Sequence, residues 1–159
     1  MIKKLKKKFI LLATSSLLLL MTVLLCAINI INFSAVKQNA DSILSLFSYS
    51  EMSFIFDFLP QGMSPEIPYE ARYFTVLVSD KGAIIKADLE KVVSVSSEDL
   101  IRYVSKALAK KAERGFTEDY RFAKFESLGY TRIVFLDCGR QLDSFYRFMT
   151  ISVLIGFGG

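Results

Sequence analysis

The sequence predicts an α+β domain with an antiparallel sheet and a long N-terminal helix, set between membrane-spanning helices. Residues Phe9 to Phe33 carry no charge, and at about 1.5 Å per residue a helix of that length outreaches the roughly 30 Å hydrocarbon core of a bilayer. Two later stretches of β-branched and aromatic residues, each broken by a glycine-bearing turn, read as hairpins. Between them, Ser96 opens an amphipathic helical pattern.

Direction comes from the flank of the apolar run. Lys3, Lys4, Lys6, Lys7 and Lys8 stand just before it, and a cationic cluster at a span end is retained on the cytoplasmic side. Residues 1–8 are therefore expected as a cytoplasmic basic N-terminus, 9–33 as a transmembrane helix and 34–142 as an extracytoplasmic domain at the plasma membrane. The same lysines suit contact with anionic lipid head groups. A cleaved signal is the competing reading, but signal cores run roughly 7–15 residues and end in a small-x-small site. This run is longer, and Phe33-Ser34-Ala35 puts a bulky residue where a small one is needed. Leu25 before Cys26 likewise fails the local chemistry of a lipoprotein anchor.

The charge excess is local. Of 20 basic residues in 159, five are the lysines before the span, which leaves 15 against 16 acidic ones. No basic face is left for nucleic acid, and no nucleic-acid-binding motif occurs. Roughly a hundred residues lie between the apolar ends, enough for one small domain with one core. Cys26 lies within the span and Cys138 far outward, so a disulfide framework is excluded.

After the span, Val36, Ala40, Ile43, Leu44 and Phe47 recur at helical spacing, with Lys37, Gln38, Asn39, Asp41, Ser42 and Ser45 assigned to the other side. The membrane helix is expected to continue outward as a stalk. Its stripe fits packing on its own domain or pairing with the same helix of a second subunit, and stripes of this width more often face a local core. From Tyr49 to Tyr69 all three prolines gather with Gly62, which marks a loop. Its cluster Phe54, Ile55, Phe56, Phe58 and Leu59 fits either a cap on the core or a dip toward the membrane surface.

Arg72 to Val78 and Ala83 to Ala87 form the first hairpin around Asp80-Lys81-Gly82. Val92 to Val95 is open between a short third strand and extended loop. Leu100, Ile101, Val104, Ala107 and Leu108 give the next helix its apolar face, and Lys110, Lys111 and Arg114 crowd its last turn before Gly115, which suits a C-cap. Asp119 to Phe125 and Thr131 to Cys138 form the second hairpin, turning near Leu128-Gly129. Ile133 to Leu136 does not alternate, which marks a central strand buried on both faces. From Phe145 onward the chain is apolar except for Arg147. Residues 143–159 are expected as the start of a second, truncated membrane helix, so that the sequence reads as part of a longer protein; a buried or amphipathic C-terminal helix is the other reading.

Catalytic chemistry is missing. The sequence contains no histidine, which excludes histidine acid–base work, Ser/His triads and histidine-bearing zinc sites. No phosphate-binding glycine motif occurs where a loop makes sense, and Asp137 with Asp143 lacks the oxygen ligands of a cation site. No catalytic residue, metal or cofactor is expected. The candidates for ligand binding are Arg72, Tyr73, Tyr120 and Arg121, where an arginine fork beside a phenol suits a carboxylate or phosphate; ordinary strand-surface residues with packed stems are the plainer reading.

Pro68-Tyr69-Glu70-Ala71-Arg72-Tyr73-Phe74, Gly115-Phe116 leading to Asp119-Tyr120-Arg121-Phe122, and Val134-Phe135-Leu136-Asp137-Cys138, together with the flanking apolar segments, resemble the N-terminal sensor region of two-component sensor histidine kinases from Gram-positive anaerobes. The resemblance implies a PAS-like or Cache-like sensor domain in a homodimer. It further implies a small-molecule or peptide ligand outside, and a kinase module beyond this chain that engages a cytoplasmic response regulator. With no histidine to phosphorylate and no ATP-site motif, no catalytic residue carries over. A single-pass anchored binding protein without kinase output is the alternative.

Overall fold

The computed structural model describes residues 2–47, 70–92 and 94–158. The proline-rich stretch with its Phe54 to Leu59 cluster, and Val93, lie outside the described residues. The chain divides into two compact units, one of Met1–Val36 with Gln141–Gly159 and one of Lys37–Arg140.

Helix α1, Ile2–Leu46, is 45 residues long and uninterrupted. Among the described residues it is the one helix long and apolar enough to cross a membrane, and none of its most apolar stretch is buried, unlike the core helix of a soluble protein. Some of its hydroxyls bond back along their own helix: Thr14 Oγ1 donates to Ile10 O at 2.8 Å and Thr22 Oγ1 to Leu18 O at 2.8 Å. Such back-bonding lets polar residues sit in an apolar helix without stranded donors. In the same unit, the Phe33 ring lies 5.5 Å from that of Phe145 on a second helix, Gly139–Gly158.

The second unit is built on an antiparallel sheet of five described strands: β1 (Tyr73–Ser79), β2 (Ile84–Asp88), β3 (Arg114–Thr117), β4 (Tyr120–Ser127) and β5 (Tyr130–Asp137), in the order β2-β1-β5-β4-β3. The first hairpin closes through Gly82, whose φ of +82° suits a residue without Cβ, with Ser79 N donating to Ala83 O at 2.8 Å. The second turns at Leu128-Gly129, as expected. Strand β5 takes the centre, and Ile133, Val134, Phe135 and Leu136 are all buried, so its non-alternating pattern reflects cover on both faces. Val92, Ser94 and Val95 form no strand.

Helix α2, Ser97–Ala109, starts on a capping box: Asp99 N donates to Ser96 Oγ at 3.1 Å, and Ser96 N to Asp99 Oδ2 at 3.4 Å. Its buried stripe is Leu100, Tyr103, Val104 and Ala107. Ile101 is instead 61% exposed and Leu108 lies outside the buried set, because the sheet meets the helix along the line i, i+3, i+4, i+7 and each residue step turns 100° away from it. The helix end also differs from expectation. It stops at Ala109, and Arg114 and Gly115 belong to edge strand β3. Gly115 is needed there for a packing reason: a Cβ at this position would stand 2.8 Å from ring atoms of Phe122.

Register sorts the two sheet faces. Phe74, Phe135 and Phe122 form one cross-strand row, with Phe74 and Phe135 stacked at 4.7 Å, and this face packs against α2 in the main core. The next row, Tyr73, Leu136 and Arg121, points the other way. There Ala123, Val134 and Leu136 are buried, as are Ala40, Leu44 and Phe47 of the α1 end. The stalk stripe thus packs on its own domain, and the unit is a helix–sheet–helix sandwich.

Candidate functional site

The α1 end meets the sheet through polar groups as well as apolar ones. Alternation along β3, β4 and β5 puts Arg114, Arg121 and Arg132 on the same face as Val134 and Leu136. Arg121 grips the carboxylate of Asp41 with both arms of its fork, Nε to Oδ1 at 2.9 Å and Nη2 to Oδ2 at 2.9 Å. The Arg121 side chain is 6% exposed and that of Asp41 23%. Arg114 Nη1 donates to the Asp41 main-chain oxygen at 3.0 Å and stands 3.8 Å from Oδ1. Arg132 Nη2 donates to Phe47 O, just past the last helical residue.

The Arg132 contact to the Phe47 carbonyl, and the positive charge of all three guanidiniums, answer a deficit at the end of α1. The last turn of a helix leaves carbonyl oxygens without intrahelical donors and carries partial negative charge, and α1 has no basic residue in its own last turn. The sheet supplies the cations. Aromatic rings brace them: the Arg121 guanidinium lies 4.7 Å over Phe116 and that of Arg132 5.1 Å over Phe125, a favourable alignment of cation and ring quadrupole. Phe47 packs on Tyr73, ring centroids 4.3 Å apart, and Lys91 Nζ lies 4.9 Å over the same tyrosine. Burial holds the Tyr73 phenol above its ordinary range, helped by Asp88 and Glu90.

Cys138 sits beside this cluster. Burial pushes its thiol up to about 11, partly countered by a hydrogen bond from the Arg121 backbone N–H. A thiol so protonated is a packing group and not a nucleophile at neutral pH.

The four residues singled out from sequence are not brought together. Each chain-adjacent pair is split by strand alternation: Tyr73 and Arg121 face α1, whereas Arg72 and Tyr120 flank Asp137 on the α2 face. Arg72 Nε is 3.6 Å from Asp137 Oδ2. Tyr120 is buried against Tyr103 at 5.0 Å and Phe74 at 5.3 Å, and burial, then Asp137 and Tyr103, raise its phenol. Asp41, assigned to the wet side of the stalk, instead faces the sheet, because its carboxylate flanks the Ala40–Leu44 stripe and finds a guanidinium there. Arg114 and Arg132 were not candidates. The signal that points to them is one arginine at an alternating position on each of three consecutive strands.

A separate surface network fixes the β3–β4 turn. Glu118, at φ +52°, accepts from Lys106 Nζ at 2.6 Å and Arg102 Nη2 at 3.3 Å, which ties the turn to α2. The Lys106 bond holds its carboxyl below the usual range. Among the described residues, no group of three or more His, Cys, Asp or Glu side chains is placed to hold a metal ion.

No family model, curated protein or solved structure matches the chain.

Proposed function

We propose that this chain is the membrane-anchored, extracytoplasmic input region of a sensor of the two-component histidine kinase type, with the state of its sheet carried into the bilayer by α1. The observation that carries this reading is that one unbroken helix supplies both an exposed apolar stretch of membrane-spanning length and the end gripped by Arg114, Arg121 and Arg132. A stimulus that shifts the sheet acts directly on that helix, and it does so only to the extent that it binds the two states with different affinity. The sheet order β2-β1-β5-β4-β3 with a helix on either face supports a PAS-like or Cache-like identity for the domain. The lysines before the span support a cytoplasmic N-terminus and lipid contact. In this reading the functional unit is a homodimer that takes a small-molecule or peptide ligand outside and reaches a response regulator through a kinase module on further sequence.

Sidedness is the first test. Leu128, at the tip of the second hairpin, is 99% exposed, and the buried Cys138 contributes little background. A Leu128→Cys variant is expected to react with a membrane-impermeant maleimide in intact cells. Labelling only after lysis contradicts the extracytoplasmic placement.

A further inference from the structure

Asp41 is held as a ligand would be. A carboxylate sits in the bidentate fork of a nearly buried arginine, with a second guanidinium 3.8 Å away, a geometry that suits any carboxylate or phosphate oxyanion. Among the described residues, Asp41 is the carboxylate paired with both Arg114 and Arg121, so this pair carries an excess positive charge. Arg114 is also the accessible member, its side chain 35% exposed, and its contact to Oδ1 is longer than a hydrogen bond.

We infer that Arg114 and Arg121 form an oxyanion-binding site, in which Asp41 is the resident intramolecular occupant and an external carboxylate or phosphate is its competitor. The anion arrives on Arg114, takes the Arg121 fork as Asp41 leaves, and frees the end of α1. The binding site stands on this geometry alone, whereas its role as the stimulus rests on the sensor reading above. A competitor of this kind binds with an apparent affinity lowered by the fraction of time Asp41 occupies the fork. Removing the carboxylate must therefore tighten binding.

The test uses the full chain in phosphatidylcholine nanodiscs, with inorganic phosphate titrated against chloride at matched ionic strength and the arginine Nε–Hε resonances as readout. Wild type is expected to show saturable shifts at Arg114 and Arg121. Asp41→Asn is expected to lower the apparent Kd by ~10-fold or more, and its thermal midpoint is expected to rise in phosphate relative to chloride. Arg114→Gln keeps the Asp41–Arg121 fork, and therefore the fold, and is expected to abolish the shift at Arg121. A parallel arm without phosphate replaces the lipid by phosphatidylglycerol: shifts of the same resonances there support the site with a lipid head group as its source. The inference is overturned if neither arm shifts these resonances, if Asp41→Asn fails to tighten binding, or if Arg114→Gln binds as wild type does. A chain that binds phosphate but labels at Leu128→Cys only after lysis keeps the oxyanion site and loses the sensor reading.

Discussion

Gly115 shows how much one side chain decides in this domain. Its missing Cβ makes room for the ring of Phe122, which in turn completes the aromatic row with Phe135 and Phe74. Gly115→Ala is expected to cost about 1–3 kcal/mol through overpacking, measured by denaturant unfolding, and Phe122→Leu in the same chain should return part of it. Cys138 gives a second residue-scale expectation. Its folded thiol titrates near 11 against an ordinary value of 9.0. The neutral buried form therefore favours folding below pH 9, and that contribution is lost progressively as pH rises from 9 toward 11. The Tyr73 and Tyr120 phenols are shifted in the same direction. Unfolding followed from pH 8 to pH 11 should show falling stability, with a shallower fall for Cys138→Ala. The glycine's role is not written in local sequence: Gly115 follows a basic run that resembles a helix end, and only the β3–β4 register reveals the ring beside it.

At the scale of elements, features set by neighbours in the chain were legible and features set by partners across space were not. Ser96 caps α2 through contacts within four residues, and both hairpins turn at the expected glycines. Ser96→Ala is expected to lower stability by about 1 kcal/mol, measurable as a drop in thermal midpoint with α2 exchanging its amides faster. Strand β3 is not legible in the sequence because Arg-Gly-Phe-Thr is short and lacks alternation strong enough to stand out; its pairing with β4 creates it. The apolar stripe of α2 leaves out Ile101, against expectation, for a related reason. Periodicity locates a stripe to within a residue or so, while the line of contact with the sheet is fixed by Tyr103. As for the candidate site, Arg121 was legible as a fork seeking an oxyanion, but its occupant is Asp41, 80 positions earlier in the chain. No local pattern relates residues that far apart.

In the molecule as a whole, the end of α1 is a structural layer of the domain, and a side chain from each of three strands holds it there. That layer is held by the Asp41–Arg121 ion pair together with buried Ala40, Leu44 and Phe47, and the ion pair is the part that one substitution removes. Unpairing Arg121 leaves a nearly buried guanidinium without its carboxylate, a loss of about 2–4 kcal/mol at or below the range for fully buried pairs. The cost should fall on α1 first, since the face of the sheet against α2 keeps its whole aromatic core. Amide hydrogen exchange along the full chain in nanodiscs, comparing wild type with Asp41→Asn, tests this most directly. Amides from Asp41 to Leu46 are expected to lose protection by ~10-fold or more while those of β5 keep theirs; equal protection in both proteins, or equal loss in α1 and β5, overturns the Asp41–Arg121 pair as the hold on α1.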